Sequence, residues 1–219
     1  MNQRQMLLRA VARELEVLMA ESFVLIAIDG VDGAGKTIFA DELAACFPIE
    51  QVIRASVDGF HQPRAIRYAR GRQSPEGFYL DSYDYAALRR VLLEPLRQKP
   101  PAPCCIAVFD HRTDQAVPVD WLDVAPKRLL ILDGIFLHRP ELAHYWHYSI
   151  FLAVSPSTSV RRCVTRDGNA NTPTDPGDPV HQRYLRGQEI YLETCNPKAK
   201  CTRVINNEDL EQPFFYQRE

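Results

Sequence analysis

Two rhythms of apolar residues alternate along the chain. Short runs dominated by apolar residues at 23–28, 51–57, 104–109, 127–133, 148–154 and 201–206 have the length of strands. The run at 23–28 is rich in β-branched residues and suits a parallel strand covered on both faces. Between the runs the spacing becomes helical. Residues 2–20 place Met6, Leu7, Ala10, Val11, Leu15 and Leu18 on one helix face, with arginines and glutamates between them. Ile38, Phe39, Leu43 and Ala44 repeat that spacing, and 84–98, 155–167 and 181–194 read as further helices. Asp84 suits the N-terminus or cap of one of these, and Ser155, followed by a first-turn proline, the cap of another. Strands alternating with helices predict a three-layer α/β/α fold around a predominantly parallel sheet. The chain reads as one domain over 1–219, with 156–185 as a helical lid and the Gly-, Asn-, Pro- and Asp-rich stretch 168–179 as its movable loop.

The turn after the first strand carries the chemistry. Gly30, Gly33, Gly35, Lys36 and Thr37 form G-x-x-x-x-G-K-T, a phosphate-binding loop. Its glycines let the backbone press close to a ligand, and its amides, with the positive end of the following helix, cradle phosphate oxygens. Asp32 and Ala34 lie inside the loop and count with it as nucleotide-binding positions. Lys36 is placed to reach the β- and γ-phosphates, and the Thr37 hydroxyl to ligate Mg²⁺. The pattern points to ATP with Mg²⁺.

Acids stand at the carboxyl ends of two strands, where open α/β sheets present ligand-binding groups. Asp58, in SVDGFH, is the candidate general base for an acceptor hydroxyl, or a metal-holding group; a turn aspartate before Gly59 is the structural alternative. Asp133 closes the run KRLLILD and is a candidate metal residue, with an N-cap or turn role as its alternative. His61 reads either as a substrate contact or as a surface loop residue. The stretch 64–82 mixes Arg64, Arg67, Arg70 and Arg72 with Tyr68, Phe78 and Tyr79, which is either a solvated basic face or a substrate wall. Asp110, His111 and Arg112 cluster at the end of the 104–109 run. Arg161, Arg162 and Arg166 lie on the 155–167 helix, either closing over phosphates or forming a basic surface.

Composition narrows the partners. In 219 residues, 46% are hydrophobic and 25% charged, ordinary for a soluble globular chain. A formal net charge of −2 gives no broad basic field, which argues against a nucleic-acid partner. The six cysteines lack C-x-x-C spacing and read as reduced thiols of a cytoplasmic protein. No signal-peptide core or membrane-length apolar run is present, and the partner expected is a small-molecule substrate, with a homo-oligomer left open.

The blocks GVDGAGKT (30–37), SVDGFH (56–61), DSYDYAAL (81–88), VFDHRTD (108–114), LILDGIFL (130–137), VRRCVTRD (160–167) and RVINNED (203–209) follow one another in an order that resembles the uridine kinase/phosphoribulokinase branch of the P-loop kinases. The resemblance implies transfer of the ATP γ-phosphate to a small-molecule hydroxyl, first of all the 5′-hydroxyl of uridine or cytidine. It assigns Asp58 as base and Asp133 to the magnesium site. Arg162 and Arg166 fall in a lid helix, and 203–209, with Asn206, against the adenine. Phe109, Asp110 and His111 match a base-binding segment; apart from the resemblance, the polar and aromatic 61–79 stretch, with His61, Arg67, Phe78 and Tyr79, reads as an acceptor pocket. Two departures stand out. Phe78 occupies the place where uridine kinases carry an aspartate for the ribose hydroxyls. Gly59 and His61 replace a small polar residue and a tyrosine, a form closer to pantothenate-kinase-like and sugar-kinase-like relatives. A sugar, glycerate or pantothenate-like alcohol is therefore the alternative acceptor, and a nucleotide-binding regulatory protein the alternative of another class.

Overall fold

The computed structural model describes residues 2–168 and 171–217. Its strands are β1 (Val24–Gly30), β2 (Val52–Ser56), β3 (Phe109–Asp110), β4 (Gln115–Ala116), β5 (Leu129–Gly134), β6 (Tyr148–Ala153), β7 (Arg203–Asn206) and β8 (Phe214–Phe215). Its α-helices are α1 (Gln3–Met19), α2 (Lys36–Ala44), α3 (Arg64–Arg67), α4 (Pro75–Asp81), α5 (Tyr85–Leu88), α6 (Glu94–Arg97), α7 (Pro156–Asp167), α8 (Gln182–Cys195) and α9 (Pro197–Lys200). The main sheet runs β2-β5-β1-β6-β7-β8. All its pairings are parallel except that of β8, which lies antiparallel on β7. This is the three-layer, mostly parallel α/β fold expected.

Every residue of β1 and β5 is buried, as a sheet covered on both faces requires. Alternate side chains feed two cores. Val24, Ile26, Ile28, Leu129 and Ile131 face α1 and α2, whereas Leu25, Ala27, Leu130 and Leu132 face α4 to α6 and α8. The buried apolar stripe of α1 is Leu7, Leu8, Val11, Ala12, Leu15 and Met19, which shares Leu7, Val11 and Leu15 with the stripe expected; Met6, 54% exposed, and Leu18, 36%, lie outside it. The capping box of Asn2 with Gln5 starts this helix.

The run at 104–109 is not a sheet strand. Cys104 makes one isolated bridge to Leu122, and only Phe109 and Asp110 pair, in the separate β3–β4 hairpin. The reason lies in Pro95, which has no N–H to donate to the carbonyl of Val91 one turn back. The helix from α5 to α6 widens there into a π turn, Arg89–Leu93, and the Cys105 N–H takes the Val91 carbonyl at 2.8 Å. Val108 N–H donates to the Gly59 carbonyl at 2.9 Å. These bonds draw the segment across the core and bring its end, His111, beside the turn after β2.

Cys46, Cys104, Cys105, Cys163 and Cys195 are free thiols. Among the described residues no helix is long and apolar enough to cross a membrane.

Packing around Gly134, where β5 leaves the sheet, gives a test. A Cβ there would lie 2.7 Å from Val57 Cβ. Gly134→Ala should cost about 1–3 kcal/mol, read by urea denaturation; a loss below about 0.5 kcal/mol would mean that the Val57 turn moves freely.

Candidate active site

The phosphate loop joins β1 to α2 at the carboxyl edge of the sheet. Gly30, Gly33 and Gly35 have φ of 154°, 67° and 87°, conformations that side chains disfavour. Space is as restrictive as torsion. A Cβ on Gly33 would meet the Ser159 carbonyl at 2.5 Å, and one on Gly30 the Leu152 carbonyl at 2.7 Å. The Gly35 position abuts Asn207 Nδ2 at 3.0 Å, and that amide donates to the Ala34 carbonyl at 2.7 Å. Lys36 folds over the loop, its Nζ donating to the Val31 carbonyl at 2.8 Å.

Thr37 Oγ1 donates to Asp133 Oδ2 at 2.8 Å, and Asp133 is 2% exposed. Register brings them together, since β5 is the neighbour of β1 and Asp133 lies opposite Ile28. The other carboxylate oxygen of Asp133 pairs with Arg54 Nη2 at 3.0 Å, and Arg54 also reaches Asp41. Two hard oxygens at the start of α2 suit Mg²⁺, which ordinarily takes one or two protein oxygens and completes its octahedron with phosphates and water. Among the described residues no group of three or more His, Cys, Asp or Glu is arranged to hold a metal.

A cavity of about 650 Å³ opens beside the loop. Asp32 from the loop and Ser159, Cys163 and Arg166 from α7 line one side, while Asp58, His61, Tyr83 and His111 line the other. Burial pushes the Asp32 carboxyl up, against the pull of Lys36 and Arg166. Asp58 sits in the 3₁₀ turn Val57–Phe60 directly after β2, with its side chain 58% exposed. The buried Tyr83 hydroxyl donates to Asp58 Oδ1 at 3.2 Å. His61 Nδ1 lies 3.0 Å from the Asp58 carbonyl. A carbonyl only accepts, so the Nδ1 carries the proton and Nε2 is the free nitrogen. The His61 ring is 4.5 Å from both the Tyr83 and His111 rings.

The remaining expected residues divide. Phe78 lines the cavity wall, and Arg67 does so with its guanidinium held by the Gln62 carbonyl at 2.7 Å and Asp114 at 3.3 Å. Tyr79 turns away into the core, stacking edge-on against Phe136 with its hydroxyl 3.3 Å from Cys195 Sγ. Phe109 and Asp110 do not line the cavity; the Asp110 carboxylate is taken by its own turn, through Arg112 N–H at 2.9 Å and the Thr113 hydroxyl at 3.1 Å. Arg162 donates to the carbonyls of Gly33 (3.3 Å), Asn207 (3.0 Å) and Glu208 (2.9 Å), tying α7 to the loops. Arg166 is exposed to the cavity and pairs with its neighbour Asp167 at 2.9 Å. Asn206 bonds Tyr216 and the Glu208 amide, whereas the fully buried Asn207 holds the phosphate loop. Sequence reasoning missed Asn207, Tyr83 and the α8 residues Arg183, Tyr184 and Gln188. An apolar-position scan treats Tyr83 as core, and Asn207 is separated from Asn206 only by which way the chain turns after β7. The lid loop expected at 168–179 includes residues 169 and 170, which lie outside the described residues.

No family model matches the chain. It is 21% identical over 201 residues to a uridine kinase from Brevibacillus brevis, spanning 83% of this chain and 87% of that protein. It is 23% identical over 199 residues to the inorganic pyrophosphatase TTM2 of Arabidopsis thaliana, and spans 27% of that protein's length. Among solved structures, a candidate uridine kinase from Bacillus stearothermophilus superposes with a TM-score of 0.69 at 19% identity, over 90% of this chain and 96% of that one. A candidate fructose transport system kinase from Silicibacter sp. TM1040 gives 0.67 at 21% identity, over 85% and 94%. The D-glycerate 3-kinase of Cryptococcus neoformans gives 0.60 at 12% identity, over 96% and 99%. The chain shares its fold with these kinase structures, and the order of its motifs resembles that of the uridine kinase/phosphoribulokinase-like branch.

The His61 contacts yield a pH test. Burial holds this imidazole below the ordinary histidine value of 6.5, outweighing the Asp58 carbonyl and charge that would raise it. The folded chain then binds fewer protons than the unfolded chain just below that value, so this group's share of stability declines as pH falls from about 6.5. NMR titration of the His61 ring, assigned with His61→Gln, should give a midpoint below 6.5; a higher midpoint would place the ring in solvent or against a dominant negative charge.

Proposed function

We propose that the chain is an ATP- and Mg²⁺-dependent small-molecule kinase that transfers the γ-phosphate to an alcohol, with the 5′-hydroxyl of uridine or cytidine as the first acceptor to test. The observation that carries this reading is one cavity bounded by the phosphate loop on one side and by the Tyr83-held Asp58 on the other. The loop amides and the start of α2 would hold the phosphates, and Lys36 would exchange the Val31 carbonyl for their oxygens. Thr37 and Asp133 would hold Mg²⁺, which when bound supplies charge neutralisation on the phosphate oxygens. Asp58 would accept the proton of the acceptor hydroxyl as that oxygen attacks phosphorus. The Tyr83 bond fixes one carboxylate oxygen and leaves the other to face the acceptor. Arg166 is the arginine placed to meet charge spreading over the transferred group, because Arg162 is committed to backbone carbonyls. The 156–185 stretch serves as the lid that keeps water from competing for the phosphoryl group.

A second acceptor class has its own support. Phe78 gives the wall an apolar ring where a ribose-binding acid would stand, and Arg64 and Arg112 line the rim. Two similar structures are named for fructose transport and glycerate, so a sugar or glycerate-like alcohol is the alternative.

The test is acceptor-dependent ADP release across nucleosides, pantothenate, glycerate and sugars. Release stimulated by uridine or cytidine supports the first acceptor, and release stimulated only by another alcohol replaces it. ATP binding without stimulation by any acceptor turns the reading toward a nucleotide-binding regulatory protein. Asp58→Asn should retain ATP affinity and lower turnover about 10²–10⁴ fold; turnover near that of the parent protein removes Asp58 as base.

A further inference from the structure

Helix α8 has three polar attachments on its buried side, and they reach two different parts of the site. In its first turn Arg183, 5% exposed, spreads its guanidinium over backbone carbonyls of the acceptor-side segment. Its Nη1 donates to Arg72 (2.9 Å), Ser74 (3.1 Å) and Gly71 (3.3 Å), and its Nη2 lies 3.4 Å from the Arg67 carbonyl. The same guanidinium lies over the Tyr68 ring at 5.1 Å. Five residues on, Gln188, 3% exposed, accepts the Asp32 amide of the phosphate loop at 2.7 Å and returns its own amide to the Tyr184 carbonyl at 3.0 Å. Tyr191, 2% exposed, donates to the carboxylate of Asp29, the residue that enters the phosphate loop.

Asp29 is fully buried and wholly engaged. Its Oδ1 accepts the Gly30 amide at 2.7 Å, and its Oδ2 faces His138 Nδ1 at 2.6 Å as well as the Tyr191 hydroxyl. The His138 amide donates to that same hydroxyl at 2.9 Å, and its Nε2 is 3.0 Å from Ser149 Oγ. Between the attachments the helix is pressed on α4, for a Cβ on Gly187 would lie 2.7 Å from Phe78 Cδ1 and 2.8 Å from the Pro75 carbonyl. At about 1.5 Å per residue, Arg183 and Tyr191 stand about 12 Å apart along one rigid rod.

We infer that α8 is a positioning strut that makes the conformation of the acceptor-side segment 67–74 depend on nucleotide at the phosphate loop, with Gln188 and Tyr191 as its positioning residues. The inference rests on the nucleotide-binding reading above. Gln188 Oε1 and the Tyr191 hydroxyl are bonded directly to the loop and to the residue that enters it. A shift of the loop breaks buried hydrogen bonds or carries the helix with it, and the helix carries the carbonyls held by Arg183. Ordering one end lowers the cost of ordering the other, which is positive coupling between the two ligands.

The test is hydrogen exchange on the full chain with and without Mg²⁺ and a non-hydrolysable ATP analogue, and it needs no identified acceptor. The reporters are the amides of Gly71 and Ser74, bonded at 2.9 and 3.1 Å within their own segment. In the parent protein the analogue should slow exchange at 30–37 and slow it about fivefold or more at 67–74. In Gln188→Met/Tyr191→Phe, both shape-conserving, the loop should still be protected while the effect at 67–74 falls below about twofold. Should that variant fail to fold, Arg183→Lys keeps the charge without the fork and should give the same loss. Loop protection without an effect at 67–74 in the parent protein overturns the strut. So does an effect that persists in the variants, which would mean direct contact between nucleotide and segment. Absence of protection at 30–37 removes the nucleotide reading itself and the strut with it.

Discussion

Everything at this site depends on a backbone loop packed so closely that no side chain fits where it turns. Gly30 backs onto β6, Gly33 onto α7 and Gly35 onto the turn after β7. Three separate elements therefore meet the loop through its missing Cβ atoms, and the loop in turn fixes their distances from one another. Once β1, β6 and β7 are neighbours in the sheet, the start of α7 and the 207–208 turn have few places left to go. The loop's carbonyls are consumed, Val31 by Lys36, Asp32 by Ser159, Gly33 by Arg162 and Ala34 by Asn207. The amides of Gly30, Asp32 and Ala34 are held by Asp29, Gln188 and the Val31 carbonyl, which leaves the amides of Gly33, Gly35, Lys36 and Thr37 to form the cradle. An open cradle of N–H groups is the electrostatic counterpart of a closed set of carbonyls.

Two buried acids flank this loop, and the company each keeps separates their roles. Asp29 is fully buried among an amide, a phenol and an imidazole, all pointing at it, with no route to a ligand. That satisfies a carboxylate inside a core, where an unpaired one would be expensive. Asp133 instead keeps one oxygen on a hydroxyl that faces the phosphate loop and pairs the other with a partly exposed arginine. Its surroundings can change when a cation arrives, since Arg54 has Asp41 as a second partner. Both acids end buried strands and look alike in sequence; their neighbours across the sheet make one structural and the other available.

The same reasoning explains what was legible beforehand. The phosphate loop, Asp58, Asp133 and the alternation of strands with helices depend on contacts close in sequence or on register in a parallel sheet, and these leave local patterns. What escaped the pattern depends on single long-range bonds. The run at 104–109 has strand composition, yet Pro95 leaves a carbonyl on the helix above it, and that carbonyl captures Cys105. Tyr79 and Phe78 are adjacent aromatic residues with the same sequence prospects, and both rings pack edge-on against Phe136, but the helical turn of α4 brings only Phe78 to the cavity as well. Asp110 has the composition of a binding residue, and its own tight turn takes up its oxygens. The α1 stripe differs in part because Leu8, Ala12 and Met19, next to the expected positions, are apolar and bury equally well.

The arginines show why composition alone could not place the acceptor pocket. Read along the chain, they form a basic run that suits either a solvated face or a phosphate wall. In the fold they are neither as a group. Arg67, Arg162 and Arg183 give their donors mostly to backbone carbonyls. A guanidinium with five donors is well suited to gathering such orphaned acceptors from irregular loops. These three therefore build the cavity, and their positive charge is partly spent on the dipoles they hold. Arg166 is left at the cavity with a single exposed partner, Asp167, on its own helix. A pair so exposed contributes little to stability, so an arriving phosphate can compete for the guanidinium at small cost. The division between arginines that hold the walls and one that can leave its partner follows from counting hydrogen bonds, and it sets Arg166 apart from Arg67, Arg162 and Arg183.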